Sequence, residues 1–276
     1  MKLLYSTDLH GSKWKYETIL KLAKSLNLDL VINGGDMFPL SNLLAQDKFI
    51  IQYLDEHFAK YHEAKIHYLC YPGNDDLQIF DNLLLTICEK YDYVNSIPQR
   101  KVQIDGYEFI GFNYVLDYPF ILKDRCRIDN TSFEFPRQLG TAVISTFDHL
   151  EPIQDWFSFA LSLPSIEVEL DALVKPHNFN NTIYIIHQPP ANLGLDVCSD
   201  GRKVGSQSIF KFIEKYQPQI TLHGHIHESP EISMKWIATL GKTLSVQPGQ
   251  YPSHRKKLIY VIMDLETMSV QRYKIE

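Results

Sequence analysis

The chain has 276 residues, 45% hydrophobic and 22% charged, proportions that exclude a disordered protein and suit a folded globular one. A formal net charge of −6 gives no general attraction to polyanions, no Lys/Arg stripe suited to duplex nucleic acid stands out, and the short run Arg255 to Lys257 reads as a solvated loop. No apolar stretch is long enough for a signal sequence or membrane span, and the four cysteines, Cys70, Cys88, Cys126 and Cys198, form no C-x-x-C pair, so a cytoplasmic protein with reduced thiols is expected.

Lys2 to Ser6 reads as a strand, and Ser12 is placed to cap a helix that runs to about Ser25. Leu28 to Asn33 is a buried-type strand. Asn42 to Ala64 predicts a long amphipathic helix with Ile50, Leu54 and Phe58 on one face. Ile66 to Cys70 is a third strand, followed by a helix from about Leu77 to Tyr91. This β-α-β-α-β order implies parallel strands joined by right-handed crossovers. Val102 to Phe112 then carries an Asp105-Gly106 turn between two short strands, a hairpin signature. From Asn113 to Asn181 the periodicity is poor, and the stretch is too long for a plain connection, so it reads as an insertion. Thr182 to Ile186 and Ile220 to Leu222 resume the strand pattern, with a helix over Gln207 to Tyr216 between them. The tail from Met234 to Ile275 reads as antiparallel strands turning near Leu240-Gly241 and Leu265-Glu266-Thr267.

Polar residues of metal-ligating type sit where these strands end. The loops are Asp8-Leu9-His10-Gly11, Gly34-Gly35-Asp36, Gly73-Asn74-Asp75-Asp76, His187, and His223-Gly224-His225-Ile226-His227. Carboxyl ends of parallel strands lie along one edge of a sheet, so these loops are expected to converge on one crevice. Imidazole and carboxylate donors together suit Mn, Fe or Zn. Asp8 and His10, two apart on an extended segment, can point toward one ion, and His225 and His227 repeat the spacing. Asp36, with two oxygens, can bridge two ions, and the neighbouring glycines let the backbone turn sharply.

D-x-H, G-D, G-N-x-D, a lone His and G-H-x-H, in that order over residues 8 to 227, resemble the calcineurin-like metallophosphoesterase family. The resemblance implies two packed mixed β-sheets flanked by helices, a four-layer α-β-β-α sandwich, over a single domain of residues 1–276. It implies a first metal held by Asp8, His10, Asp36 and His227, and a second held by Asp36, Asn74, His187 and His225. The implied reaction is in-line hydrolysis of a phosphate ester by a hydroxide bridging two divalent ions, with manganese favoured over iron or zinc. Asn74 and His225 would also contact phosphoryl oxygens. A small phosphodiester, cyclic nucleotide or nucleotide derivative is the expected substrate, because the insertion at about 113–181 can roof the crevice. The alternatives are a single-strand nuclease of the same family, which the acidic balance disfavours, and a non-catalytic protein-binding scaffold.

Many relatives carry His where this chain has Asp75, and that His assists protonation of the leaving group. Two dications favour an ionised carboxylate, so Asp75 is a poor general acid; its other reading is a cap for the helix that follows. Arg125 and Arg127 either clamp a substrate phosphate or lie on the surface. Gly205-Ser206 either offers amides to a phosphate or caps a helix. His223 reads as packing behind the ligands, His57, His62 and His67 as structural, and His149, His177 and His254 as ordinary surface or packing residues.

Overall fold

A computed structural model describes residues 1–251 and 256–276; His254 and Arg255 lie outside the described residues. The first third builds one sheet. Strands β1 (Lys2–Ser6), β2 (Leu30–Asn33), β3 (His67–Cys70) and β4 (Val94–Ser96) pair in parallel in that order. Helices α1 (Lys13–Ser25), α2 (Gln46–Phe49), α3 (Asp55–Ala64) and α4 (Asp81–Cys88) lie in the crossovers. The helix expected over Asn42 to Ala64 forms as one run with a wider π-turn at Ile50–Leu54 between α2 and α3, and it still buries Ile50, Leu54 and Phe58. The helix expected from Leu77 to Tyr91 is shorter, with a 3-10 turn at Gln78–Phe80 leading into α4.

The second sheet starts with the hairpin of β5 (Lys101–Ile104) and β6 (Tyr107–Phe112), whose turn residues Asp105 and Gly106 both take left-handed φ, 47° and 84°. The segment after it forms β7 (Val115–Leu116) paired with β8 (Cys126–Arg127), a hairpin of β9 (Ala142–Ser145) and β10 (Leu150–Ile153), and helices α5 (Trp156–Ser162) and α6 (Ile166–Ala172). Then come β11 (Thr182–Ile186), α7 (Gln207–Tyr216), β12 (Ile220–Leu222), the short α8 (Ser229–Ile232), and a hairpin of β13 (Ile237–Leu240) and β14 (Thr243–Val246). The order in this sheet is β13-β14-β12-β11-β6-β5. The last hairpin, β15 (Leu258–Asp264) with β16 (Ser269–Ile275), returns to the first sheet, where β15 lies antiparallel to β1.

Both sheets are mixed and they pack face to face. Leu3, Tyr5, Ile32 and Leu69 from the first meet Phe109, Ile183, Ile185 and Leu222 from the second in one buried cluster. The opposite face of the first sheet, through Leu4, Val31 and Tyr68, packs on Ile19, Leu20 and Phe58 of the helices. The opposite face of the second, through Tyr184 and Ile186, packs on Leu170, Ile209 and Phe212. Four layers result, and the central strands are apolar on both faces because both faces are covered. The residues of the expected insertion do not stand apart. Val115, Cys126, Ile128 and Trp156 form a small core of their own, while α6 joins α7 in the outer layer. Among the described residues no helix is long and apolar enough to cross a membrane.

Candidate metal centre

The ligand loops leave the carboxyl ends of β1, β2 and β3 in one sheet and of β11 and β12 in the other, so the site spans the joint between the sheets rather than the edge of one. Backbone bonds lace the loops together: Asp8 N–H to Gly35 O at 3.0 Å, His10 N–H to Asp36 O at 2.9 Å, and Gly224 N–H to His187 O at 2.9 Å. Tyr5, from the sheet interface, donates to His223 O at 2.8 Å and ties the two halves. Gly35 has φ +104°, and a side chain there would run into the His187 ring; at Gly73 one would run into Asp36.

Asp8, His10, Asp36 and His227 each present a donor atom within 4.8 Å of the other three. The expectation of extended segments is corrected: Asp8, His10, Asp36 and His225 have left-handed φ of 57°, 45°, 51° and 68°. The D-x-H spacing works here through a sharp turn, not through an extended strand. Next to this group, His187 Nε2 lies 3.4 Å from Asp36 Oδ2 and 3.0 Å from Asn74 Oδ1. The His225 ring is 5.5 Å from that of His187, centroid to centroid. Asp36 thus touches both groups.

The donor set fits divalent ions. Asp8 Oδ2 is buried with no hydrogen-bond partner among the described residues, and His10 Nε2 faces His227 Nε2 at 3.2 Å, an arrangement a shared cation would satisfy. His187 Nδ1 donates to Gly34 O at 2.7 Å, which leaves Nε2 as the lone-pair nitrogen of the neutral ring, turned to Asp36 and Asn74. The charges in the metal-free site compensate one another. Burial opposes a charged imidazole, yet the Asp36 and Asp8 carboxylates hold His187 up at about 9, and Asp8 with Asp36 does the same for His227. Burial carries the other way at His10, down to about 4, and at His225, down to about 3.

The two adjacent aspartates of the third loop separate completely. Asp75 faces the cleft, 32% exposed, 4.0 Å from His10 Nδ1, and accepts from Asn74 Nδ2 at 3.0 Å, so its reading as a helix cap is overturned. Asp76 is fully buried and accepts from the N–H groups of Met37, Phe38 and Gly73 at 2.7–2.8 Å, stapling the second loop to the third.

Arg125 and Arg127 are neither surface residues nor a substrate clamp. Both are buried; Arg125 holds Gly73 O and the Asp81 carboxylate, and Arg127 lies over the Tyr114 ring at 4.0 Å. The start of α7 is capped by Ser206, and its free amides at Gln207 and Ser208 bind Asp129, so a protein carboxylate occupies the place considered for a phosphate. His223 uses both ring nitrogens, on the carbonyls of Ile186 and Gln188 and on the Thr221 hydroxyl. His57 is buried among Tyr16, Tyr53 and Tyr61, and His149 and His177 pair with Asp148 and Glu108.

A cleft of about 490 Å³ opens from the ligands, and Tyr118, Phe120, Leu139 and Arg202 line it. None of these four was singled out from the sequence. The Tyr118-Pro119-Phe120 triplet inside the aperiodic stretch was the available signal.

A family model described as calcineurin-like phosphoesterase matches residues 1–229. Among solved structures, TT1561 of Thermus thermophilus is similar over 100% of this chain and 99% of its own, at 17% identity and a TM-score of 0.62. A novel archaeal phosphodiesterase matches over the full length of both chains at 13% identity and a TM-score of 0.47. A dimetal phosphatase from Danio rerio matches over 95% of this chain and 92% of its own, at 10% identity and 0.49. No curated protein matches the sequence at a significant level.

Proposed function

The chain belongs to the calcineurin-like phosphoesterase family, and from that premise we propose that it is a dinuclear-metal hydrolase of small phosphodiesters. The reading is supported by the position of Asp36, within the donor cluster of Asp8, His10 and His227 and 3.4 Å from His187, which meets Asn74 at 3.0 Å and has the His225 ring 5.5 Å away. When bound, two divalent ions, manganese favoured, supply Lewis acidity toward the phosphoryl oxygens and a nucleophile near neutral pH.

The chain's own residues do the rest. Asp36 sets the spacing of the two groups, with one oxygen accepting from Asp75 N–H at 2.9 Å and the other near His187. The Asn74 amide and the His225 ring border the cleft, where they can orient a phosphoryl oxygen. The Asp8 carboxylate accepts from His225 N–H at 3.2 Å and so fixes the turn that presents both His225 and His227. No imidazole stands at Asp75 to protonate the leaving group, which favours esters whose leaving group tolerates charge.

Metal analysis of the purified protein alongside turnover of an aryl phosphodiester tests this reading. Wild type should hold about two ions, and Asp36→Asn should lose both together with activity. Retention of one tightly bound ion by that variant would exclude the bridging role. Full loading without turnover of any ester would favour the protein-binding alternative.

A further inference from the structure

The cleft over the ligand groups is lined by two unlike sets of residues. One is polar, Asp36, Asn74, His225 and His227; beside it, with the Tyr118 ring 5.7 Å from that of His225, lies an apolar shelf of Leu116, Tyr118, Pro119, Phe120, Pro136 and Leu139. Phe120 is 65% exposed and Leu139 68%, large apolar side chains standing in solvent beside a candidate active site.

The shelf is built rather than loose. The Asp117 carboxylate, buried beneath it, takes Lys123 Nζ at 2.7 Å and Gln138 Nε2 at 2.9 Å. Both partners of that ion pair have fully buried side chains. The same Lys123 ammonium donates to the Tyr118 carbonyl and lies 4.9 Å from the centre of the Tyr118 ring. Leu139 N–H closes on Pro119 O at 2.9 Å, locking the two strips together. A buried ion pair gives little net stability, but it fixes a geometry, and here the geometry presents aromatic and aliphatic surface to the cleft.

Charge narrows what can lie there. Among the described residues the lining has one Lys or Arg side chain, Arg202, and Asp200 pairs with it at 2.6 Å. Asp75 and Glu228 line the remainder, with Asp117 beneath the shelf already neutralised by Lys123. Among the described residues a second phosphate on the substrate would meet Arg202 alone, and Asp200 competes for it, whereas an apolar substituent would cover surface that water now wets.

We propose that the site takes a phosphoester whose reacting phosphate is its one anionic group and whose substituent is an apolar, aryl-sized body seated against Tyr118, Phe120 and Leu139. The proposal rests on the hydrolase reading above and names its substrate class.

Calorimetric binding to the manganese-loaded protein separates the possibilities without relying on turnover. The probes are dimethyl phosphate and diphenyl phosphate, which share one diester anion and differ in apolar surface, and the 5′-phosphorylated dinucleotide pTpT. Wild type should bind diphenyl phosphate roughly 10- to 100-fold more tightly than dimethyl phosphate, and more tightly than pTpT. In the double variant Phe120→Ser with Leu139→Ser, both positions being exposed and outside the core, the preference should fall below about threefold while dimethyl phosphate binding stays unchanged. Equal binding of the two diesters by wild type, or a preference that survives in the double variant, overturns the shelf. Tighter binding of pTpT overturns the single-anion restriction. If neither diester binds the loaded protein, the hydrolase reading itself fails, a result distinct from the other three.

Discussion

Asp8, His10, Asp36 and His225 all hold left-handed backbone without being glycine, a conformation uncommon for such residues and costing of order 1–3 kcal/mol where the surroundings do not favour it. The bonds between loops over-determine it, so the donor atoms are gathered before any ion arrives. The metal-free site then holds its carboxylates with protons: His187 and His227, both raised to about 9 against the effect of burial, are charged at pH 7. Ligation needs their lone pairs. Loading at pH 7 should therefore release about three protons, two from these imidazoles and one from Asp75, which is raised to about 8 in the metal-free site and ionised beside the ions; the release should shrink as pH rises through about 9, and apparent affinity should weaken as pH falls. Calorimetry in buffers of different ionisation enthalpy measures this directly, and an enthalpy independent of buffer would refute it. Asp75 supplies a second prediction at this scale. Burial and the Asp36 carboxylate raise its pKa to about 8 in the metal-free site, but two dications reverse that sign and leave it ionised, unable to donate. Rates should then fall steeply as leaving-group pKa rises, and Asp75→His should flatten the slope, helping poor leaving groups by up to ~10²-fold. A linear free-energy series on both proteins decides it; a shallow wild-type slope left unchanged by the substitution would mean that another group gives the proton.

The gathering of the candidate ligands is easy to read at the level of elements because each of them follows an apolar strand directly, and a strand followed by a polar loop is local information. What stayed hidden depends on partners far along the chain. Strand β8 is two residues long and carries no periodicity, so the burial of Arg125 is visible only once Asp81 and Gly73 are seen beside it. Nor does a sequence distinguish Asp75 from Asp76, identical neighbours of which one lines the cleft and one staples two loops. Arg125 donates through Nε to Gly73 O at 2.8 Å and through its fork to Asp81 at 2.5 and 3.1 Å, bracing the loop that carries Asn74. Just before it, Asp124 accepts from Gln78 N–H at 2.8 Å and from Ser145. Arg125→Ala should weaken the ion held by Asn74, His187 and His225 by roughly 10- to 100-fold and spare the one held by Asp8, His10 and His227. Arg125→Lys, which keeps the charge without the planar fork, should fall between. Stepwise metal titration resolves the two ions, and equal weakening of both, or of neither, would remove the bracing role.

Across the whole molecule, the loops of the first sheet carry Asp8, His10, Asp36 and Asn74 and those of the second carry His187, His225 and His227, so neither sheet alone holds either of the proposed ligand groups. The ordering of strands behind this was only partly foreseeable. Parallel crossovers in the first third follow from β-α alternation, but the return of β15 to pair with β1 joins residues some 260 positions apart, Lys2 opposite Asp264, which no local pattern announces. The apolar layer between the sheets and the Tyr5 bond to His223 O keep the two ligand halves in register. Ions that bind only when both sheets are docked must stabilise the docked state of the entire fold. At free metal about 100-fold above its dissociation constant, each site should add roughly 2.7 kcal/mol, and a chain of this size should gain about 5 °C or more in transition temperature. Chelation should reverse the gain in a single cooperative transition, and Asp36→Asn should lose it, since that carboxylate serves both groups. Differential scanning calorimetry across a metal titration makes the measurement, with bound metal assayed on the same samples. Two bound ions with no change in transition temperature would mean that the unfolded chain binds them equally well, which is incompatible with ligands assembled from two separate sheets.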